Sequence, residues 1–151
     1  MCLAVARHPS VVRSATRVVR ALEAHDRLRR VAALFTFVSH LTGGGEAADL
    51  RDGADVLVRL AGAEAAPAVL LAALLKAAGE RAQLDYARDL VFVRVEISLA
   101  DAARLPPHAA VLGGRRRGRV YLPLWVRHAR SPLGFLPRET REGLARRRFI
   151  A

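Results

Sequence analysis

The sequence predicts an α+β domain, with N-terminal helices, a buried central helix and a small antiparallel sheet. Three observations predict it. Ala65–Leu75 runs eleven residues without a charge, so a helix there is apolar nearly all round and belongs inside a core. Two segments ahead of it carry apolar residues at helical spacing. Beyond Gly79 the period changes, and two short runs read as strands joined by a turn.

In chain order, Pro9-Ser10 opens a first helix with Ser10 as N-cap. Val11, Ala15, Val18, Val19 and Leu22 make its apolar stripe, and Arg13, Arg17, Arg20 and Arg27 lie largely off it. Asp26 caps a second helix over 27–41, with Leu28, Val31, Phe35, Val38 and Leu41 as the stripe and Thr42-Gly43-Gly44-Gly45 as the break. His40, near its end, suits a partner for the C-terminal dipole. Residues 46–53 are polar and loop-like, and Asp52 can cap a short helix over 53–60.

The segment Leu60–Gly79, LAGAEAAPAVLLAALLKAAG, holds the central helix. Ala, Leu and Lys are good helix formers. Pro67 is tolerated only in a first turn, which sets the helix start near Glu64. Gly79 fits a left-handed C-terminal cap. Eleven uncharged residues are too few to span a bilayer.

Strands are expected at 81–87 and 90–98, joined by a turn at Arg88-Asp89. In the second, Leu90, Phe92 and Arg94 alternate with Val91, Val93 and Val95. Residues 101–112, interrupted by Pro106-Pro107, read as a loop with at most a helical turn. The basic run Gly113 to Arg119 fits a hairpin tip before a strand at 120–124. Residues 132–137 are turn-rich and apolar and are expected to lie against the body. A last helix covers 139–151, starting near Glu139 or Thr140.

A length of 151 residues and 52 % hydrophobic content fit one domain with a sizeable core. It divides into a basic N-terminal helix (1–30), a core (31–134) and an Arg-rich tail (135–151). Net charge is +11, distributed as +5 over residues 1–30, −4 over 31–103 and +10 over 104–151. Twenty-four Arg against one Lys, with abundant Ala, Leu, Val and Gly, point to a GC-rich coding sequence. Opposed charge in separate segments still points to an anionic partner, or to ends that fold back on the middle. One cysteine, Cys2, excludes an internal disulfide framework. No secretory signal pattern is present, and we expect a cytoplasmic protein.

The usual site chemistries are thinly represented. The five histidines show no metal-ligand spacing. Gly43-Gly44-Gly45 lacks the Lys and Ser or Thr of a phosphate loop. Cys2 with His8 or His128 would make a nucleophile at a chain end, where little fixes geometry. No cofactor is expected. Arg115, Arg116, Arg117 and Arg119, with Arg146, Arg147 and Arg148, are candidates for binding an anion or an acidic partner. Nucleic acid bound through them would be held in a salt-dependent, sequence-blind way.

From about Val31 to Gly134 the sequence resembles the bacterial transglutaminase-like domain, of papain-like architecture. The helix RVAALFTFVSHLTGG is similar to the one before that family's nucleophile. Its nucleophile motif is Gly, then Asp or Asn, then the catalytic Cys, followed by an Ala-Leu-Leu-rich buried helix ending in Ala-Gly. Here the frame is Gly62-Ala63-Glu64-Ala65-Ala66 and then Pro67 through Gly79, so Glu64 stands at the Cys position. In the relatives a strand begins with the catalytic His; here it is Leu90-Val91-Phe92-Val93-Arg94-Val95, with Leu90 at that position, or Phe92 if shifted by two. The family's Asp follows a later strand, and in Tyr121-Leu122-Pro123-Leu124-Trp125 its position holds Trp125.

Cysteine acyl transfer needs a thiolate at a helix N-terminus beside a His that an acid orients. With all three replaced, the resemblance implies a pseudoenzyme on a transglutaminase-like, papain-like fold. Glu64 itself is electrostatically suited to a first helical turn. The first expectation is a catalytically inactive module that binds a protein partner, or another copy of itself, through the former cleft. The alternatives are an Arg-rich nucleic-acid-binding module on the same scaffold, and a transglutaminase- or cysteine-protease-like enzyme with a relocated site.

Overall fold

The computed structural model describes residues 9–21, 26–42, 65–87, 90–113, 118–127 and 131–150; at 10, 11, 14, 15, 19, 41, 42 and 146–150 it describes the backbone alone. The fold is α+β. Helices α1 (Pro9–Ala21), α2 (Arg27–Thr42) and α3 (Ala66–Ala77) precede strands β1 (Ala82–Ala87) and β2 (Leu90–Ile97). A short helix α4 (Leu99–Ala103), strand β3 (Val120–Leu124) and helix α5 (Arg138–Ile150) follow. The expected helix over 53–60 and the turn at Arg88-Asp89 lie outside the described residues.

Helix α3 is central, as its composition requires. It touches α1, α2, β1 and β2. Ala66 and Ala68 through Leu75 are buried, and Val69, Leu71, Leu74 and Leu75 are wholly inaccessible. Burial of each such side chain is worth roughly 1.5–3 kcal/mol. Pro67 lies in the first turn, where its missing N–H is no loss. At the far end Gly79 has φ 86°. Its N–H donates to the carbonyl of Lys76 at 3.0 Å, and the N–H of Glu80 donates to that of Leu75 at 2.9 Å. Those paired bonds form a Schellman cap, and only glycine adopts that φ freely.

Asp26 caps α2, its Oδ1 accepting the N–H of Arg29 at 3.0 Å. Leu28, Val31, Phe35 and Val38 are buried as expected, together with Leu34. One terminal assignment is corrected. Helix α1 begins at Pro9, so Ser10 lies inside it rather than ahead of it; proline's fixed φ suits a first helical position. Arg27 opens α2, as the expected helix over 27–41 has it, and so does not share the basic face of α1; its Nε donates to the buried carboxylate of Glu80.

The sheet has the order β1-β2-β3 and is antiparallel throughout. Ala82 pairs with Val95, Ala87 with Leu90, and Val93 with Leu124. Alternation along β2 divides the two faces. Val93, Val95 and Ile97, with Leu122, Leu124 and Val120 of β3, join the α2–α3 core. Phe92 faces the other way into a second cluster with Ala87, Leu112 and Leu136, onto which Tyr121, Trp125 and Leu144 pack. The sheet is therefore sandwiched between the early helices and a C-terminal layer.

Ser98 is not the last residue of β2. Its Oγ accepts the N–H of Asp101 at 3.0 Å, capping α4. Leu112 exchanges two backbone hydrogen bonds with Tyr121, at 2.8 and 2.7 Å, on the edge of β3 away from β2. Pro123, two residues on, turns its nitrogen to that same edge, so β2 loses no ladder bond. Among the described residues no helix is long and apolar enough to cross a membrane.

Candidate functional site

Trp125 leaves β3 one residue past its last paired position and stays half-buried. Continuing the register that pairs Val93 with Leu124 sets Trp125 across from Phe92, and both belong to the outer cluster. Leu90, also half-buried, lies two residues along β2. Phe92 is thus the β2 residue across from Trp125. Glu64 lies outside the described residues.

Segment 131–137 supplies the other half of this surface. It lies against the body, as expected from its composition. The carbonyl of Gly134 accepts the N–H of Ala110 at 2.8 Å, and Leu136 is buried. Gly134 has φ 76°, and a Cβ there would come within 2.7 Å of the Ala109 Cβ and 3.0 Å of Leu122 Cδ1. This tight seat aims the next residue, Phe135, at Trp125. Their rings stack with centroids 6.2 Å apart and planes 19° from parallel. The Arg127 guanidinium sits 5.6 Å from the Trp125 centroid, a cation–π contact worth about 0.5–1 kcal/mol at an exposed site. The backbone N–H of Arg127 donates to Ser131 Oγ at 3.0 Å, tying together the two chain segments of the ledge. Phe135 remains 40 % exposed.

On the same face of the sheet, Arg94 is held by its neighbours across the strands. Nη2 donates to Gln83 Oε1 at 3.1 Å, Nη1 lies 3.5 Å from Asp85 Oδ2, and the guanidinium stands 5.2 Å from the Tyr121 centroid. Its Nε is buried with no partner. A groove of about 330 Å³ runs between Ala109–Leu112 and Arg141, Leu144 and Ala145 of α5. Among the described residues no three His, Cys, Asp or Glu side chains group as a metal site.

Arg119 is exposed just before β3, and Arg146, Arg147 and Arg148 stand on the last turns of α5, described by backbone only. Arg115, Arg116 and Arg117 lie outside the described residues. His40 is exposed, its Nδ1 2.8 Å from the carbonyl of Thr36 in its own last turns. The surface that sequence reading missed is the Trp125–Phe135–Arg127 ledge. Its one advance signal was the apolar, turn-rich run at 132–137; the pairing with Trp125 is a tertiary event.

No family model, no curated protein and no solved structure matches this chain.

Proposed function

We propose that this chain is a non-catalytic, transglutaminase-like module that binds a protein partner through the Trp125–Phe135–Arg127 ledge. The observation that carries the reading is the stack itself. A tryptophan stands where the resemblance puts an acid, packed on a partly exposed phenylalanine and crossed by an arginine. Trp, Tyr and Arg dominate the residues that contribute most to protein interfaces, because they combine apolar area with a directional polar group. A bare carboxylate at the same place would orient a histidine; a stacked indole offers contact area instead.

Affinity capture from host cells tests this reading. The wild-type chain recovers a defined partner, and Trp125→Ala, checked to be folded at the capture temperature, recovers it poorly. Equal recovery by both contradicts the ledge. Amine incorporation or peptide cleavage by the purified chain contradicts the non-catalytic part. Activity lost with Cys2→Ser would make Cys2 the nucleophile, and activity that survives it would point to chemistry without a thiol.

A second reading has one observation in its favour. Arg13, Arg17 and Arg20 are exposed along α1 at helical spacing and form a basic stripe. Such a stripe suits an anionic partner, nucleic acid included.

A further inference from the structure

We propose that the groove between Ala109–Leu112 and α5 takes an extended peptide segment of the partner, paired as a strand beside Val111, with an acidic side chain held by Arg141. This rests on the protein-binding reading above and names the chemistry of the partner.

The first support is the direction of the backbone. Leu112 turns its N–H and C=O to Tyr121, and Ala110 turns its N–H to Gly134. In extended chain, successive residues turn these groups to opposite edges. Val111 therefore presents its N–H and C=O on the free side, and it has no hydrogen bond among the described residues. Val111 is also 43 % exposed. An edge of this kind is a template for a further strand.

The second support is the shape and charge beside that edge. Ala109, Ala110 and Ala145 leave room that larger side chains would fill, and Leu112 and Leu144 supply an apolar floor. Among the described residues Arg141 is the one charged residue lining the groove. It makes no ion pair among the described residues, since its neighbour Glu142 is engaged by Arg138 at 2.8 Å. The Arg141 guanidinium, beside the Leu112 and Leu144 floor, matches a carboxylate on an extended chain that pairs with the Val111 edge. The groove also adjoins the ledge, because Gly134, which accepts from Ala110, precedes Phe135.

The test pans a randomised heptapeptide display library against the full chain, then measures selected synthetic peptides by fluorescence anisotropy. The expected peptides alternate apolar residues and carry Asp or Glu at a fixed position. Their affinity falls about tenfold or more in Val111→Pro, which removes the edge N–H without breaking an internal bond, and in Arg141→Glu, an exposed surface change. N-methylation of one pairing amide of the peptide weakens binding likewise. No enrichment over an unrelated control protein overturns the proposal, as does binding that ignores both substitutions or the N-methyl group. A host partner captured through Trp125 but indifferent to Val111→Pro and Arg141→Glu would sink the groove and leave the ledge standing.

Discussion

Arg104, at the C-cap of α4, donates through Nη2 to Asp26 Oδ2 at 2.6 Å, binding the cap of α2 to a residue 78 positions away in sequence. The same guanidinium reaches Asp101 Oδ1 at 3.5 Å. The hydrogen bond from Arg104, reinforced by the N–H of Arg29, holds the Asp26 carboxyl below its ordinary pKa of 3.8. Because the folded pKa is depressed, the contribution is present above the unfolded value and is lost as pH falls through the folded one. Thermal melts at neutral pH should rank wild type above Asp26→Asn, and that above Asp26→Ala. Asparagine keeps the cap but loses the ion pair, and alanine loses both. Below about pH 3.8 the gap between wild type and Asp26→Asn should close. A gap independent of pH would refute the ion-pair contribution.

The Arg27–Glu80 pair is of a different kind. The Glu80 side chain is 5 % exposed and that of Arg27 37 %. Removing one partner of a fully buried pair costs roughly 3–5 kcal/mol, because a buried charge is left unpaired. Water reaches Arg27, so Arg27→Ala should cost less, about 2 kcal/mol in urea unfolding. Arg27→Leu combined with Glu80→Leu should recover most of that loss. If the double variant is as unstable as the sum of the single ones, the charge-burial explanation is wrong.

Gly134 tests how the ledge is seated. Its left-handed backbone and the approach of Ala109 and Leu122 leave no room for a Cβ. Gly134→Ala should cost about 1–3 kcal/mol through strain and overpacking. It should also shift Trp125 fluorescence, because Phe135 is displaced from the stack. Ala109→Gly in the same chain should relieve part of the cost. A fluorescence spectrum unchanged in Gly134→Ala would detach the seat from the ledge.

An anion-binding role for the arginines makes its own prediction. A net charge of +11 favours retention on heparin, with affinity falling linearly in log units against log salt. Arg13, Arg17 and Arg20 changed together to Gln should bring elution to lower salt, as should Ala at Arg115, Arg116 and Arg117. Tight retention persisting at high salt in either variant would count against a phosphate-driven mode.

Several elements were legible because their signals are local. Pro67 and Gly79 bracket α3, and the charge-free run between them could only be buried. Asp26 announced α2, and the alternation in β2 announced both faces of the sheet. Helix α4 was read only as a helical turn within a loop, and two residues late, because Pro106-Pro107 dominated the reading of its segment. Ser98 and Asp101, three residues apart, were a capping signal that could have found it. The pairing of Arg27 with Glu80 was not legible, because the two lie 53 residues apart in sequence. The ledge is likewise non-local: no periodicity in 132–137 says that Phe135 meets Trp125. Gly134 hinted at a turn, but its close approach to Ala109 exists only once the chain is folded.

Photo-crosslinking in host cells, with benzoylphenylalanine replacing Phe135, tests the central claim most directly. The account predicts a discrete adduct with one protein, lost when Trp125→Ala is added and absent when the probe is moved to exposed Arg81 on the entry to β1. No adduct at 135, or the same adducts from 135 and 81, would contradict a partner-binding ledge.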